Sequence, residues 1–363
     1  MRAALFKSLF LSLLVASAAG AQTRTNLENQ TLDSRRNSLI ICSQNLKNYL
    51  GESPRKPQDP PGPVGPSDKE QALINRFDRA ACDVIGVQEL GGMSDDIAQR
   101  NLQRLATLLY ARTQRRFSMK IGDVNENAQR NAFLVADDKA HIVHVVTYRK
   151  LFLPKIDPTQ KPRLFTRSPL EIQITVDGKD GRMDKNISLL NFHFKSKSGS
   201  KDDPAALQWE TYRMEMSEGI RRVAEDRFKA QIQAGEPVIL LGDRNAHNDT
   251  ATAKILEGSL TLDDFKAKSR CRLSKRGTPL CQGDTRRPIS FMSLLTYDPE
   301  TSKLPGTFVY NKVFSFLDDI LINVSAINFT REDPDAEGNY MSGIINTDVD
   351  ASDHALVWSK LAW

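Results

Sequence analysis

The sequence predicts one α/β domain built on mixed β-sheets, and three observations support that fold class. Short apolar runs of strand length alternate with segments of helical amphipathic spacing along most of the chain. The 363 residues are 40% hydrophobic and 26% charged, which is a globular composition with enough chain for a substantial core. Neither an internal repeat nor a clear linker divides the sequence after residue 37, so we assign residues 38–363 to a single domain.

The apolar pattern also predicts the order of the elements. A proline-rich irregular loop at residues 51–66 precedes a helix that begins at Ser67, where Ser67 and Glu70 have capping-box spacing. Further helices are expected at residues 94–110 and 204–233. Expected strands lie at residues 39–42, 83–89, 132–153 (as strand pairs), 170–176, 187–194, 238–241 and 355–358, with hairpins across 289–328.

The N-terminus has the pattern of a secretory signal peptide. Arg2 and Lys7 supply a positive start, residues 9–15 form a short apolar run, and Ala19-Gly20-Ala21 is a small-residue cleavage pattern. The apolar run is shorter than the roughly 20 residues that span a bilayer. We therefore expect cleavage near Ala21 and a secreted or periplasmic product, with a retained anchor as the alternative.

Cleavage would leave a nearly neutral mature chain. Loss of residues 1–21 lowers the formal net charge from +5 to +3, because two positive side chains are removed. Net charge alone therefore does not indicate a nucleic-acid binder. Residues 22–37 are expected to form a polar lead-in, and no later segment is apolar enough for stable membrane insertion. A monomer is the expected state.

The four cysteines fall into two pairs of different character. Cys271 and Cys281 lie close together in a polar, basic stretch, and we expect them to form a disulfide. Closing so short a loop restricts the unfolded chain by about 3 kcal/mol in the chain-entropy model. Cys42 and Cys82 lie in apolar segments, where we expect buried thiols.

Predicted buried strands repeatedly adjoin side chains of metal-ligand and acid–base type. These residues are Asn45, Glu89, His193, Asp243 and Asn245 after strands, and Asp318, Asp319, Asp353 and His354 before strands. Strand ends are rigid supports, so polar groups that converge there indicate a site. The set is rich in oxygen and contains no cysteine, which suits Mg²⁺, Mn²⁺ or Ca²⁺ better than structural zinc. Phosphoryl chemistry needs such a set, because a metal offsets phosphate charge while an activated water attacks.

Six short motifs occur in a recognisable order. They are Gln44-Asn45-Leu46, Val87-Gln88-Glu89, Asn191-Phe192-His193, Gly242-Asp243-Arg244-Asn245, Asp318 before an apolar strand, and Ser352-Asp353-His354. With these motifs the chain resembles, over residues 39–358, the endonuclease/exonuclease/phosphatase superfamily, which includes deoxyribonuclease I and abasic-site endonucleases. Residues 193–197 look like the branch of bacterial extracellular nucleases. The resemblance implies two packed mixed β-sheets flanked by helices, a four-layer α/β sandwich of the deoxyribonuclease I type.

The resemblance also implies roles for the matching residues. Glu89 and Asn45 would hold the metal, and Asp353 would bind or position it. Asp243 would position or deprotonate the attacking water, and Asn245 would orient the phosphate or that water. The implied cofactor is Mg²⁺, with Mn²⁺ or Ca²⁺ as alternatives.

Two imidazoles would contact the phosphate. His354 would stabilise its charge or serve as acid while Asp318 orients the ring, and His193 would be the second contact. A neighbouring carboxylate raises the pKa of a histidine, which favours contact with an anion. Either Asp318 or Asp319 is a candidate partner, and Asp318 is favoured because the family's acid precedes one further residue and then the strand. Arg244 stands where the family usually has an aromatic residue, and strand alternation should turn it away from the site.

A basic segment lies between the Asp243 motif and Asp318. Residues 265–287 carry eight lysines and arginines against one acid, or +7, and a disulfide-stapled loop of this kind would grip a polyanionic backbone. A solvated surface loop is the alternative. No aromatic residues are interleaved as in a single-strand stacking platform, so backbone contacts fit better than base reading. The predicted substrate-binding residues are Arg149, Lys195, Arg270, Arg272, Lys275 and Arg276.

The sequence thus favours a secreted, metal-dependent phosphodiesterase, and within that class a sequence-nonspecific nuclease with nucleic acid as substrate. A phospholipid or phosphoinositide phosphodiesterase on the same scaffold is the alternative, and it should present exposed aromatic or apolar loops. A non-catalytic nucleic-acid-binding protein is disfavoured, because every expected catalytic position is occupied. Preference between DNA and RNA, internal or terminal cutting, and the number of metal ions remain open.

Overall fold

The computed structural model of the protein describes ten segments of the chain. They are residues 37–50, 65–124, 128–177, 184–197, 207–266, 270–282, 287–298, 301–310, 312–330 and 341–363. The expected signal peptide, the lead-in up to residue 36 and nearly all of the proline-rich loop lie outside the described residues. Among the described segments, no helix combines the length and apolar character needed to cross a membrane.

The described residues form sixteen strands and six α-helices. The strands are β1 (Ser38–Tyr49), β2 (Val84–Gly91), β3 (Phe117–Ile121), β4 (Gln129–Ala136), β5 (His141–Thr147), β6 (Leu170–Val176), β7 (Lys185–His193), β8 (Val238–Asp243), β9 (Cys271–Leu273), β10 (Pro279–Cys281), β11 (Phe291–Ser293), β12 (Phe308–Tyr310), β13 (Val313–Ser315), β14 (Asp318–Asn323), β15 (Ser342–Ile345) and β16 (Leu356–Ala362). The helices are α1 (Asp68–Ala80), α2 (Asp95–Thr113), α3 (Glu210–Arg227), α4 (Lys229–Gln233), α5 (Ala251–Glu257) and α6 (Leu294–Tyr297). Short 3₁₀ helices span Leu207–Trp209, Leu262–Phe265, Thr301–Lys303 and Val324–Thr330.

Twelve of these strands form two six-stranded mixed sheets. The first sheet has the order β15-β16-β1-β2-β4-β3, and the second has the order β11-β14-β8-β7-β6-β5. Each sheet contains one parallel pair near its centre, β1 with β2 and β7 with β8, and its other pairs are antiparallel. The remaining strands form two hairpins, β9–β10 and β12–β13.

The two sheets pack face to face through an apolar core. Strand alternation sends Leu39 and Ile41 of β1 into this core, whereas Cys42 faces the helices outside the first sheet. Because both faces of β1 are covered, its sequence is a continuous apolar run rather than an alternating one. Gly86 of β2 allows the close approach of the sheets, since a Cβ there would lie 2.4 Å from the Leu241 side chain.

Helices cover both outer faces. Leu73 of α1 and Leu102 of α2 pack on the first sheet, and Ile220 of α3 packs on the second sheet together with Leu240 of β8. The layers are therefore helix, sheet, sheet and helix. The predicted fold class, a four-layer α/β sandwich of two mixed sheets flanked by helices, is confirmed.

The structure confirms one local prediction of secondary structure and corrects another. Ser67 and Glu70 form the expected capping box, each side chain accepting a hydrogen bond from the other residue's backbone N–H. Residues 132–153 were expected to form strand pairs, but β4 and β5 lie in different sheets and do not pair with each other. The apolar spacing of these residues predicts strands, but it does not show which strand each one pairs with.

Both pairs of cysteines form disulfides. Cys271 and Cys281 face each other across the β9–β10 hairpin and are bonded, as expected. The prediction of buried thiols at Cys42 and Cys82 is wrong, because these residues form a disulfide with a Cα–Cα distance of 5.8 Å. The parallel pairing of β1 with β2 brings the chain after α1 back beside Cys42, and the spacing in the sequence does not show this.

We predict that the Cys42–Cys82 disulfide stabilises the fold more than the Cys271–Cys281 disulfide. It closes a sequence separation of 40 rather than 10, so the chain-entropy model gives losses of about 4 and about 3 kcal/mol respectively. Removing the buried Cys42 sulfur adds a cavity cost. The free energy of unfolding in urea, measured for Cys42→Ala/Cys82→Ala and Cys271→Ala/Cys281→Ala, tests this order. A larger loss in the second variant would contradict it.

Candidate active site

The predicted site residues meet at one end of the sandwich. In the second sheet, His193 is paired in register with Asp243, and Asp243 is paired with Asp318 of the antiparallel neighbour β14. Three adjacent strands therefore place an imidazole and two carboxylates side by side. Parallel strands end at the same edge of a sheet, so β1 and β2 of the first sheet deliver Asn45 and Glu89 to the same end of the molecule.

Asn45 joins the two sheets across the site. Its Nδ2 donates to Glu89 Oε1 at 3.3 Å and to Asp243 Oδ2 at 3.1 Å. Its Oδ1 accepts the backbone N–H of Lys47 at 2.8 Å. The side chain thus presents donors rather than a free oxygen to the carboxylates. The metal-ligand role that the sequence resemblance implied for Asn45 stays a prediction. In the structure, the Asn45 amide links the carboxylates of Glu89 and Asp243.

Two of the predicted site residues have left-handed backbone conformations. Glu89 has φ of 58° and Asn245 has φ of 51°. A non-glycine residue in this region is uncommon and costs energy, and such residues cluster at functional sites. The turn at Glu89 directs its carboxylate to the Asn48 backbone N–H at 2.8 Å and to Gln129 Nε2 at 3.1 Å.

Asp243 is the buried centre of the site. It accepts hydrogen bonds from the Asn245 backbone N–H at 2.7 Å and from Asn245 Nδ2 at 3.2 Å. Burial raises the pKa of Asp243 to about 7; the His354 imidazole opposes this shift, while the carboxylates of Asp318 and Glu89 add to it. A carboxyl group with a pKa near 7 is suited to exchanging protons with a bound water.

His354 is held by Asp318 and not by Asp319. Its Nδ1 lies 2.8 Å and 3.1 Å from the two Asp318 oxygens, and its Nε2 lies 3.8 Å from Asp243 Oδ2. Burial disfavours the charged ring, but the carboxylates of Asp318 and Asp243 outweigh burial and raise the pKa of His354 to about 9. Asp319 instead pairs with Arg244 and accepts from Ser293 Oγ at 2.7 Å. Alternation along β14 therefore separates the two neighbouring acids.

His193 is buried and faces the same carboxylates. Its Nε2 lies 3.5 Å from Asp243 Oδ2 and 3.8 Å from Glu89 Oε1, and neither ring nitrogen has a hydrogen-bond partner within the part of the chain that the structure describes. Burial, with the positive charges of Arg167 and His354, lowers its pKa well below 6.5. The ring is therefore neutral at pH 7, unlike that of His354.

The oxygen-rich set fits a hard divalent cation. Four acidic side chains, Glu89, Asp243, Asp318 and Asp353, lie near one cationic imidazole, that of His354. Burial is the main cause of the raised pKa of Asp243, and the negative charges of Asp318 and Glu89 add to it. A cation between the acidic side chains would offset these negative charges. Glu89 and Asp353 are the more accessible carboxylates, with side chains 19% and 35% exposed. Asp243, Asp318 and His354 also offer ligand atoms within 4.8 Å of one another, although the Nδ1 of His354 is already used by Asp318.

Several residues that hold the site were not predicted from the sequence. Arg76 of α1 is buried, and its Nη1 donates to the His354 carbonyl at 2.6 Å and to Gln44 Oε1 at 3.0 Å. Thr307 Oγ1 accepts the backbone N–H of Asp318 at 3.0 Å. Both residues lie outside the six motifs that point to the site. A charged residue on an amphipathic helix ordinarily indicates a solvent-facing position, so only the tertiary structure reveals the role of Arg76.

The predicted substrate-binding cations differ in their surroundings. Arg270 is paired with Asp264 at 2.8 Å, at the start of the β9–β10 hairpin, and its substrate-binding role stays a prediction. Lys195 lies 4.8 Å from the ring centroid of Trp209. The remaining predicted cations, which are exposed, are Arg149, Arg272, Lys275 and Arg276.

The turn of the β9–β10 hairpin lies against the loop that follows Asn245. The Ala251 backbone N–H donates to the Gly277 carbonyl at 3.0 Å, and Thr278 Oγ1 lies 3.4 Å from Asp249 Oδ2. The exposed Lys275 and Arg276 belong to this turn. The basic segment is thereby attached on the Asn245 side of the site.

Comparison with solved structures identifies the fold as the deoxyribonuclease I-like α/β sandwich. ANGEL2, described as a 2′,3′-cyclic phosphatase and solved with adenosine-2′,3′-vanadate, superposes with a TM-score of 0.51 at 13% identity, covering 91% of this chain and 96% of that one. Zebrafish (D. rerio) TDP2, humanised by 14 mutations, gives 0.50 at 15% identity, covering 89% and 98%. An endonuclease/exonuclease/phosphatase family protein from Bacteroides thetaiotaomicron gives 0.49 at 14% identity, covering 91% and 96%.

These structures belong to the endonuclease/exonuclease/phosphatase superfamily, and the chain shares their fold. At 13–15% identity the likeness extends to the fold alone. No protein-family model and no curated protein matches the sequence. The fold predicted from the ordered motifs is confirmed, and the activity must be argued from the site.

We predict that Glu89→Gln weakens divalent cation binding roughly tenfold or more, because it removes a charge from an oxygen site. Calorimetric titration of the mature protein with Mn²⁺ measures this directly. Asp95→Asn is the matched control, since it removes one charge from a side chain that is 72% exposed and paired with Arg130. Equal Mn²⁺ affinity in both variants would remove Glu89 from the metal site.

Proposed function

We propose that this protein is a secreted, metal-dependent phosphodiesterase that hydrolyses nucleic acid. The observation that carries the proposal is the buried contact of Asp318 with His354, whose Nε2 faces Asp243. A cationic imidazole and a carboxyl group with a raised pKa, brought to one point at the sheet edge, combine a group that binds anions with a group that accepts protons.

In the proposed reaction, Asp243 accepts the proton of the attacking water. Its pKa near 7 leaves a substantial fraction ionised at neutral pH, and the two hydrogen bonds from Asn245 fix its orientation. Bound divalent cation would supply charge neutralisation for the phosphate, held by Glu89 and Asp353. The Asn45 amide donates hydrogen bonds to both Glu89 and Asp243, so it fixes their relative positions.

The two imidazoles have different roles in the proposed reaction. His354 is protonated because of Asp318, so its Nε2–H donates to a phosphate oxygen and stabilises the charge that develops there. His193 is neutral and lacks a hydrogen-bond partner among the described residues, so its one ring N–H can donate to a second phosphate oxygen. Arg76 acts through His354, because it fixes the backbone carbonyl of that residue.

Secretion is part of the proposal and rests on two features. The N-terminal sequence has the signal-peptide pattern, with cleavage proposed near Ala21. Both pairs of cysteines are bonded, which is usual in oxidising compartments and rare in the cytosol. These two features support a periplasmic or released product.

Nucleic acid is proposed as substrate because of the charge beside the site. The exposed Lys275 and Arg276 lie on the Asn245 side of the site, where they add positive charge beyond the reacting phosphate. A polyanion longer than one phosphodiester unit gains from such contacts, whereas an isolated head group does not reach them. The similarity of Lys195 and its neighbours to extracellular nucleases agrees with this substrate class.

The proposed activity predicts that the mature protein degrades plasmid DNA or RNA with Mg²⁺ and stops when a chelator is added. Asp243→Asn should lower the rate by about 10²–10⁴, because a general base contributes that factor. Initial rates on plasmid DNA and on single-stranded RNA measure the effect. Asp95→Asn, an exposed acid outside the site, serves as the control.

Two results would overturn the nuclease proposal. The first is a folded protein that binds Mn²⁺ yet leaves DNA and RNA intact, in which case phospholipid head groups are the next substrates to test. The second is an Asp243→Asn variant with the activity of the wild type, which would indicate that the activity comes from a contaminant or from another site.

We predict that the basic turn sets the salt dependence of binding. If Lys275 and Arg276 each neutralise one phosphate, Lys275→Ala/Arg276→Ala should lower the slope of log affinity against log salt by roughly 1.4 on single strands. Fluorescence anisotropy with a labelled oligonucleotide measures this slope. Arg116→Ala/Lys139→Ala, which removes the same charges at the opposite end of the first sheet, should leave it unchanged. Equal slopes in both variants would count against a backbone role for the turn.

A further inference from the structure

Exposed apolar side chains are concentrated at the active-site edge. Five of them lie on the β12–β13 hairpin and on the loop before His354, with exposures from 41% to 78%: Val309, Tyr310, Val313, Phe314 and Val349. The proposed reaction uses none of these side chains. A group of exposed apolar residues beside a site usually contacts a ligand or partner.

The hairpin is attached directly to the His354 segment. Phe308 is bridged to His354 through the backbone, and the two ring centroids are 4.7 Å apart. The Ala355 backbone N–H donates to the Thr307 carbonyl at 2.6 Å, and the Val309 N–H donates to the Asp353 carbonyl at 3.3 Å. These contacts therefore fix the position of the hairpin relative to the His354 imidazole.

One face of the hairpin lines a cavity beside His354. Val309 and Phe314 are directly opposite each other in the β12–β13 register, so their side chains share a face. Together with Val349 they form the apolar wall of a cavity of about 150 Å³, to which Asp353 and His354 also contribute. We call this the Phe314 pocket. Tyr310 projects from the opposite face of the same strand.

We propose that the Phe314 pocket receives an unpaired base of the nucleotide next to the scissile phosphate. This inference rests on the proposed nuclease function and narrows its substrate to single-stranded or locally unpaired nucleic acid. The cavity of about 150 Å³ is lined by both apolar and polar side chains, and its Phe314 ring offers a surface on which the π-face of any base can stack. Because the pocket shares His354 with the phosphate site, both sites lie within one nucleotide unit.

The aromatic wall of the pocket favours unpaired bases. Stacking on Phe314 uses the π-face that every base has, so this contact tolerates any sequence. A paired base in a duplex is stacked between its neighbours and must leave the helix to enter, which costs a few kcal/mol. Single strands do not pay this cost, so the protein should bind and cut them faster than intact duplex.

A base is a better occupant than a membrane surface because of the acids around the pocket. Val349 lies between Asp348 and Asp350 in the sequence, and the Asp353 side chain lines the cavity with 35% exposure. Inserting Val349 into lipid would drag these carboxylates into a poorly hydrated layer, which is unfavourable. The edge of a base, in contrast, carries donors that can face a carboxylate.

Oligonucleotide binding in an inactive background tests the pocket. In Asp243→Asn protein with Mg²⁺, a labelled single-stranded oligonucleotide should bind roughly tenfold tighter than the same backbone with abasic residues, as expected for one stacked base. Phe314→Ala should bring that ratio near one, since it removes the aromatic wall. Tyr310→Ala is the matched control on the opposite face of the same hairpin and should retain the ratio.

Each other outcome overturns the assignment. An unchanged ratio in Phe314→Ala, or its loss in Tyr310→Ala instead, would show that the pocket does not hold the base. Binding to vesicles of phosphatidylcholine and phosphatidylglycerol that Phe314→Ala abolishes would make the hairpin a membrane surface. Hydrolysis of the same oligonucleotide by the wild type is scored separately, because its absence defeats the nuclease proposal, whereas cleavage without base discrimination defeats the pocket alone.

Discussion

The face-to-face packing of two sheets, each with a parallel pair near its centre, is the constraint on which the site depends. Parallel strands end together, so β1 with β2 and β7 with β8 bring their polar carboxyl ends to one end of the sandwich. The Asn45 amide then bridges Glu89 of the first sheet and Asp243 of the second. The apolar core between the sheets, with Gly86 permitting the closest approach, holds that bridge at hydrogen-bonding distance. Any change in sheet separation would move the Glu89 carboxylate away from that of Asp243.

Opposite protonation of two imidazoles follows from this geometry. His354 touches Asp318 and lies near Asp243, and the carboxylates outweigh the cost of burying a charge. His193 is equally buried but has no comparable hydrogen bond to an acid, so burial prevails and its ring stays neutral. The same residue type thus supplies a cation and a neutral group, whose Nε2 atoms lie 3.8 Å and 3.5 Å from the same Asp243 oxygen. Their difference arises from contacts across strands and could not be assigned from either local sequence.

The two sides of the site differ in charge and in aromatic character, and this difference bears on which substrate fits. On the Asn245 side, the disulfide-stapled β9–β10 turn carries Lys275 and Arg276. On the His354 side, the β12–β13 hairpin presents Phe314 and a cavity lined by apolar and polar side chains. The proposed substrate, a strand of nucleic acid, would offer its charged backbone to the first side and a planar base to the second. The two surfaces come from distant parts of the sequence, and the central reaction groups lie between them.

The sequence by itself determined the fold class, the strand ends that carry polar groups, and the order of motifs, because strand burial and ligand chemistry leave local signatures. It also favoured Asp318 over Asp319, and the contact with His354 agrees. Only the tertiary structure decided which segments become neighbours. Parallel pairing placed Cys82 beside Cys42, and an apolar pattern alone had indicated free thiols. The tertiary structure also buries Arg76 of α1 behind His354, where its guanidinium donates to the His354 carbonyl, and it pairs Arg270 with Asp264. Long-range contacts decide such roles, and they leave no periodic trace in the chain.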